Sequence, residues 1–335
     1  MSSSVGAREL AWLARGVPPS RIGWGRGPLT ALRTARHRRP RRGGRLRVCL
    51  LELPHVGPPI GPSHAFWINE RSRACVAQLN RAPQAADVVW VLSQDPLGPA
   101  GRRTLEAALA RLPPHVAVVN RPASYDAYHE EGSFARLEAA GVRVPRTRFG
   151  PQDEGVTPVV YKARYEQPAR KFLAPWRGPV PGFRPFAFED GRDAQGRIWR
   201  FRAYHLLGEV LSGDALASPR WEARAETLEL VDLAAELPQG ERDAIVRLAR
   251  TLRLDFFAVD YLRRAADGEA VFLDVNPYPD MLMAERVTRA RGLRGAWHVW
   301  EVADRLGRPD PGRPHWRRFD EAMLAAAQRA RSGAG

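Results

Sequence analysis

At 335 residues the chain is long enough for two domains, and its 44% hydrophobic content is that of a globular protein with a core. No run of about 18 apolar residues occurs, so no membrane-spanning helix is expected. The net charge of +15 is concentrated at one end: residues 1–47 hold 12 arginines against the single acid Glu9, while the rest carries 40 basic and 36 acidic groups.

The stretch RTARHRRPRRGGRLR at 33–47 has no apolar period. It predicts a disordered, arginine-rich tail over 1–45. Charge alone would let such a tail touch nucleic acid or an anionic membrane surface. It also has the composition of a transit-like segment, without a signal peptide's apolar core. The favoured reading is the plainest one, translation from an upstream start with no role. Nucleic acid is therefore not expected as a partner except through this tail. Cys49 and Cys75 stand in no metal or redox spacing. That fits a reducing compartment, and a cytoplasmic protein is expected.

Past the tail, LRVCLLEL (46–53) predicts a buried strand, followed by a Gly/Pro loop over 54–64 and a helix from about Asn69 to Leu79. ADVVWVL (86–92) and HVAVVN (115–120) predict two further strands around an amphipathic helix at 101–112. A helix over 124–141 opens on Ser124 as N-cap and stops at Gly141. Strands alternating with helices imply a small parallel α/β domain over 46–123.

From 124 to 335 the pattern changes to α+β with antiparallel pairs, in lobes of about 124–196 and 197–335. TPVVYKARY (157–165) reads as a strand, and IWRFRAYHLLGEVL (198–211) as two strands turning at Gly208. QGERDAIVRLARTL (239–252) is a helix, and FFAVDYLRR (256–264) with EAVFLDVN (269–276) a hairpin around Ala265–Gly268. RPFAFEDGRDAQG is expected to be a surface connection, and the chain from about Met283 to be helical.

The hairpin carries an anomaly. Asp274 and Asn276 interrupt an apolar strand two residues apart, which aims both at one face. If Ala266–Gly268 is a three-residue loop with Gly268 left-handed, Asp260 lies opposite Asp274 on that face. If Asp267-Gly268 alone makes the turn, Asp260 faces Val275 and the cluster fails. Two carboxylates and an amide oxygen would repel and desolvate at a cost of several kcal/mol. A hard divalent cation removes that cost, and oxygen-only donors favour Mg²⁺. Of the 52 basic residues only Lys162 and Lys171 are lysines. Lys162 stands inside an apolar strand.

These residues resemble the ATP-grasp superfamily. The stretch LDFFAVDYLRRAADGEAVFLDVNPYPDM (254–281) is similar to its C-terminal core, an Asp on one strand, then acid, spacer and Asn on the next, then a proline. Asp260, Asp274, Asn276 and Pro279 (or Pro277) match that pattern. GVRVPRT (141–147) resembles the family's helix-to-strand entry, and TPVVYKA the strand whose lysine, here Lys162, binds nucleotide phosphates. The resemblance covers roughly residues 46–285. It implies a Rossmann-like pre-ATP-grasp domain followed by a two-lobed nucleotide-binding unit. It further implies an ATP- and Mg²⁺-dependent ligase (Mn²⁺ as a substitute ion) joining small-molecule or peptide carboxylates to amines, less often thiols, through an acyl phosphate. Asp260, Asp274 and Asn276 would hold the metal, while Lys162, Lys171, Glu189 and Arg200 would bind ATP. Arg202, with Arg200 as the other choice, would face the γ-phosphate.

The chain departs from the family pattern in three places. Glu131 stands where many members carry a lysine, RYEQPARKF replaces a glycine-rich loop, and Asp274 replaces the commoner Glu. The alternatives are therefore an ATP-grasp small-molecule kinase or a catalytically weak nucleotide-binding protein. Ser63 and His64, after the first strand, are read as plain loop residues rather than substrate contacts. His55, His64, His205 and His298 match no metal or triad spacing.

Overall fold

The computed structural model describes residues 44–52, 61–93, 99–124, 133–163, 170–221, 229–232, 237–277 and 313–333. The basic tail to residue 43, Glu131, His55, His298, Pro279 and the stretch from Met283 to residue 312 lie outside the described residues, as does the segment 164–169 after the Lys162 strand.

The first sheet is built from β1 (Leu46–Glu52), β2 (Cys75–Leu79), β3 (Val88–Leu92) and β4 (Ala117–Val119), all parallel in the order β2-β1-β3-β4. α1 (Gly61–Arg71) links β1 to β2, and α2 (Pro99–Ala110) lies between β3 and β4. β3 is buried along its whole length, which is why VVWVL is a continuous apolar run rather than an alternating one.

The helix expected from Asn69 to Leu79 is corrected here. The helix starts eight residues earlier, within the expected loop, and Cys75–Leu79 is a strand. Proline in a first helical turn sacrifices no hydrogen bond, so the Gly-Pro at 61–62 starts a helix rather than continuing a loop. The buried Glu52 carboxylate accepts the Gly61 N–H at 3.0 Å, and a Cβ on Gly61 would lie 2.6 Å from that carboxylate and 2.4 Å from Leu79. A larger residue there would have to push both side-chain ends aside.

Two antiparallel sheets follow. β5 (Pro158–Ala163), β6 (Lys171–Pro175) and β7 (Phe183–Ala187) form a small one in the order β6-β5-β7. Residues 184–187, expected to begin a surface connection, belong instead to β7. Its Pro185, like Pro175 on β6, is tolerated because both are edge strands. β8 (Ile198–Leu206), β9 (Glu209–Ser218), β10 (Glu229–Asp232), β11 (Phe256–Arg263) and β12 (Ala270–Asn276) form the larger sheet, in the order β10-β9-β8-β11-β12. The remaining helices are α3 (Ser133–Ala139), α4 (Gln239–Leu252) and α5 (Arg313–Arg331). Among the described residues no helix is long and apolar enough to cross a membrane.

Strand alternation divides the work of the larger sheet. One face carries Ala203, Phe257, Val259, Tyr261, Phe272 and Val275, packed against α4 and Leu137 of α3. The opposite face is split along its length. Tyr204, Leu206, Phe256 and Ala258 pack into the core of the parallel sheet together with α5, through Trp316, Phe319 and Met323. The other end of that face carries Ile198, Arg200, Asp260 and Leu262 and meets the small sheet across a slot.

Candidate active site

The β11–β12 hairpin places the carboxylates, though not by the expected count. Arg263 pairs with Ala270, the Arg264 N–H donates to Glu269, and the Gly268 N–H to the Arg264 carbonyl at 2.7 Å. The loop is therefore Ala265–Gly268, one residue longer than the three-residue loop, with Gly268 left-handed at φ 73°. In regular pairing that loop would set Asp260 opposite Leu273 and turn Asp274 into the α4 core. A β-bulge prevents this: Tyr261 pairs with Phe272 but Asp260 pairs with Asp274. The extra residue, Leu273, lets Leu273 and Asp274 both line the slot while Val275 returns to the core. The expected juxtaposition holds, produced by a loop and a bulge that offset one another.

A second irregularity lies on the neighbouring strand pair at the same level. β8 and β9 change register between Phe201 and Ala203. There Gly213 lies so close to Arg202 that a Cβ would sit 2.4 Å from the Arg202 carbonyl oxygen. Arg202 in turn grips Asp260 with two hydrogen bonds, Nε to Oδ1 at 2.6 Å and Nη2 to Oδ2 at 2.8 Å. The fork-to-carboxylate match is the geometry arginine makes best. Both side chains are buried, with 7% and 8% exposure.

The slot between the sheets is lined from β5 by Val160 and Lys162, from β6 by Lys171, from β7 by Phe186 and Ala187, from the connector after β7 by Phe188 and Glu189, and from the larger sheet by Ile198, Trp199, Arg200, Asp260, Leu262, Leu273 and Asp274. Trp221 and Pro145 complete it. Six of the eight residues singled out from the sequence thus meet in one cleft. The other two, Arg202 and Asn276, are not among its lining residues. Arg202 is the direct β8 partner of Asp260. Asn276 shares the Asp274 face farther along β12, and its buried Nδ2 has no hydrogen-bond partner among the described residues.

The two lysines are direct cross-strand partners. Like charges in that position repel. Lys162 Nζ is compensated by Asp274 Oδ1 at 2.8 Å, a pair that reaches from the small sheet to the larger one. The Lys171 ammonium lies 5.7 Å from the Trp221 ring centroid. Burial raises the Glu189 carboxyl above its ordinary pKa, with Arg264 and Arg143 opposing the shift. The connector that carries Glu189 is itself docked on the hairpin loop, where the Ala265 N–H donates to the Asp190 carbonyl at 2.7 Å.

The slot is chemically two-ended. Val160, Phe186, Ile198, Leu262 and Leu273 supply an apolar gap between two sheets, and Lys162, Lys171, Arg200, Asp260 and Asp274 supply a charged end. A flat heteroaromatic ring with a polyanionic tail matches that division.

ATP-grasp ligase PsnB, solved with a precursor peptide and AMPPNP, superposes with a TM-score of 0.50 at 16% identity, covering 86% of this chain and 99% of that one. D-alanine–D-alanine ligase from Bacillus anthracis gives 0.53 at 12% identity, covering 87% and 100%. The chain has the ATP-grasp fold. Macrocyclase MdnC from Microcystis aeruginosa MRC, bound to precursor peptide MdnA, shares the fold at a TM-score of 0.50 and 12% identity, over 83% of this chain and 99% of that one. At such identities the likeness speaks for the fold alone. No family model matches the chain, and no curated protein does. In this ATP-grasp fold, β1–β4 form the parallel sheet and the slot lies between the two antiparallel sheets.

Several lining residues were missed from sequence: Val160, Ile198, Leu262, Leu273 and Trp221. The first three were within reach, because each sits two positions from a residue that was singled out and so shares its face. Leu273 depends on the bulge, and Trp221 on the path of the chain after β9. Two of the histidines, one of them expected in a loop, are core residues. His64 packs edge-on against Trp90, within α1 rather than a loop, and His205 stacks on Phe257 at 5.2 Å.

Proposed function

We propose that the protein is an ATP-dependent ligase joining a carboxylate to an amine, with the carboxylate activated as an acyl phosphate and ADP and phosphate released. The observation that supports this best is the convergence of both lysines, Arg200, Glu189, Asp260 and Asp274 on one cleft between the two antiparallel sheets. Val160, Phe186, Ile198 and Leu262 would clasp the base, with Glu189 as the polar contact at the connector. Lys162 and Lys171 would bind the phosphate tail. Arg200, which lines the slot, is better placed than the buried Arg202 to face the transferring phosphate. Arg202 would act as a positioning residue that orients Asp260.

The donors suit a hard divalent cation. Asp260 and Asp274 face one another, Asn276 can add its Oδ1 from the same face, and every donor is oxygen. Among the described residues no three His, Cys, Asp or Glu side chains gather to hold a metal, so the third ligand would be the Asn276 amide. Bound Mg²⁺, or Mn²⁺ in its place, would neutralise phosphate charge in the cleft. In the structure both carboxylates are paired with basic side chains: Asp274 holds Lys162 and Asp260 holds Arg202. Nucleotide binding would exchange the first of these pairs for phosphate and metal contacts. The substrates would be acids and amines carried by small molecules or peptides.

Hydroxylamine traps acyl phosphates as hydroxamates. Incubation with ATP, Mg²⁺, hydroxylamine and a panel of small acids and carboxylate-bearing peptides should yield ADP, phosphate and a hydroxamate for at least one acid. ADP with a stable phosphorylated product and no hydroxamate would select a kinase instead. Tight Mg-ATP binding with no turnover across the panel would leave only a nucleotide-binding protein.

A further inference from the structure

Asn120 directly follows β4 at the carboxyl edge of the parallel sheet, is completely buried, and holds φ at 56°. A left-handed residue is uncommon outside glycine, and asparagine is among the few that tolerate it. Its side chain uses every hydrogen-bonding position of a primary amide. Nδ2 donates to the Phe256 carbonyl at 2.6 Å and the Pro277 carbonyl at 3.1 Å, while Oδ1 accepts the Asp255 and Phe256 N–H groups at 2.9 and 3.0 Å. The Asn120 N–H donates to the Asp255 carboxylate at 2.8 Å.

These partners are the two open ends of the hairpin that carries the acids. Asp255 and Phe256 lead into β11 and Asp260, and Pro277 directly follows Asn276. The hairpin is fixed at its loop and bulged at Leu273, so its register is irregular at the level where the acids face one another. A one-residue slip beyond that level would return Asp274 to the opposite face. A tie across the open end opposes that slip, and Asn120 makes it from the end of the parallel sheet's edge strand.

We propose that Asn120 is a positioning residue for the metal-binding hairpin, fixing Asp260, Asp274 and Asn276 through the strand ends it joins. This rests on the proposed nucleotide and metal site. Asn120→Gly keeps the left-handed backbone and removes the tie. Asn120→Asp keeps the shape and sets carboxylate oxygen against two carbonyls.

Equilibrium dialysis with labelled ATP, in Mg²⁺ and in EDTA, tests it. Wild type should bind ATP more tightly with Mg²⁺; if it does not, the metal reading itself fails. In both variants that gain should fall on the order of 10-fold or more, the usual effect of losing support behind metal ligands. Affinity in EDTA should stay within about twofold, since the residues that would contact the nucleotide directly are unchanged. An undiminished gain, or equal losses in both conditions, would overturn the role. A measurement on wild type is independent of variant folding. Hydrogen exchange at the Asp255 and Phe256 amides should slow more with Mg-ATP than with ATP in EDTA, and identical protection would count against the proposal.

Discussion

Asp260 and Asp274 face each other across one strand pair, yet each holds its cation in a different setting. Asp260 is 8% exposed and bound by a buried, bidentate Arg202 within the larger sheet. Asp274 is 33% exposed, and its partner Lys162, 35% exposed, reaches over from the small sheet. The first pair is enclosed by protein and shaped by a glycine contact and two bulges. The second spans the slot, where water already competes for both ions. A pair of the first kind fixes geometry, and a pair of the second kind can be exchanged for a ligand at small cost.

Removing one member of the buried pair should have the largest effect. Asp260→Ala strips Arg202 of its carboxylate and should destabilise the protein by about 3–5 kcal/mol, measured by urea unfolding. A loss below about 1 kcal/mol would place this pair with surface ion pairs. The same sheet should also be the acid-sensitive part of the molecule. Burial pushes the His205 pKa down to about 4 from an ordinary 6.5. The unfolded chain then binds the proton more readily between those values, so stability is complete above pH 6.5 and falls as pH drops toward 4. His205 alone should contribute roughly 3 kcal/mol to that loss. His205→Gln should flatten the pH dependence of the unfolding midpoint, and an unchanged slope would exclude His205 as its source.

Gly213→Ala should cost about 1–3 kcal/mol, because a methyl group would meet the Arg202 backbone. If Arg202 is displaced, Asp260 moves with it, and nucleotide affinity should fall along with the melting temperature. Lys162→Met should move stability least, by less than about 1 kcal/mol. It should nonetheless weaken ATP binding on the order of 10-fold or more, since a desolvated charge-assisted contact to phosphate is worth about 1.5–3 kcal/mol. Equal stability losses in Asp260→Ala and Lys162→Met would erase the distinction between the two pairs.

The same division separates what could be read from the sequence. The helix Gln239–Leu252 and the strands around Asp260 and Asp274 carry long, one-sided apolar patterns, and the structure has them where the pattern put them. Two of the small sheet's three strands were missed. Lys171–Pro175 and Phe183–Ala187 are five-residue edge strands containing proline, and their period is too short to stand out from loop. Leu273 gives no local sign that it is an inserted residue, because a bulge is settled by packing on both faces at once. The pairing of Asp260 with Asp274 was therefore anticipated through a loop count one residue short. Asn120 was legible only as the end of a strand. Its partners lie more than 130 residues away.

The proposed site requires Asp274 to serve both as counter-ion to Lys162 and as metal ligand. Calorimetry of ATP binding with and without Mg²⁺, on wild type and Asp274→Ala, tests this most directly. Wild type should gain affinity with Mg²⁺, and the variant should lose that gain while still binding ATP in EDTA, where Lys162 is released for phosphate. Identical metal-dependent heats from both proteins would contradict it.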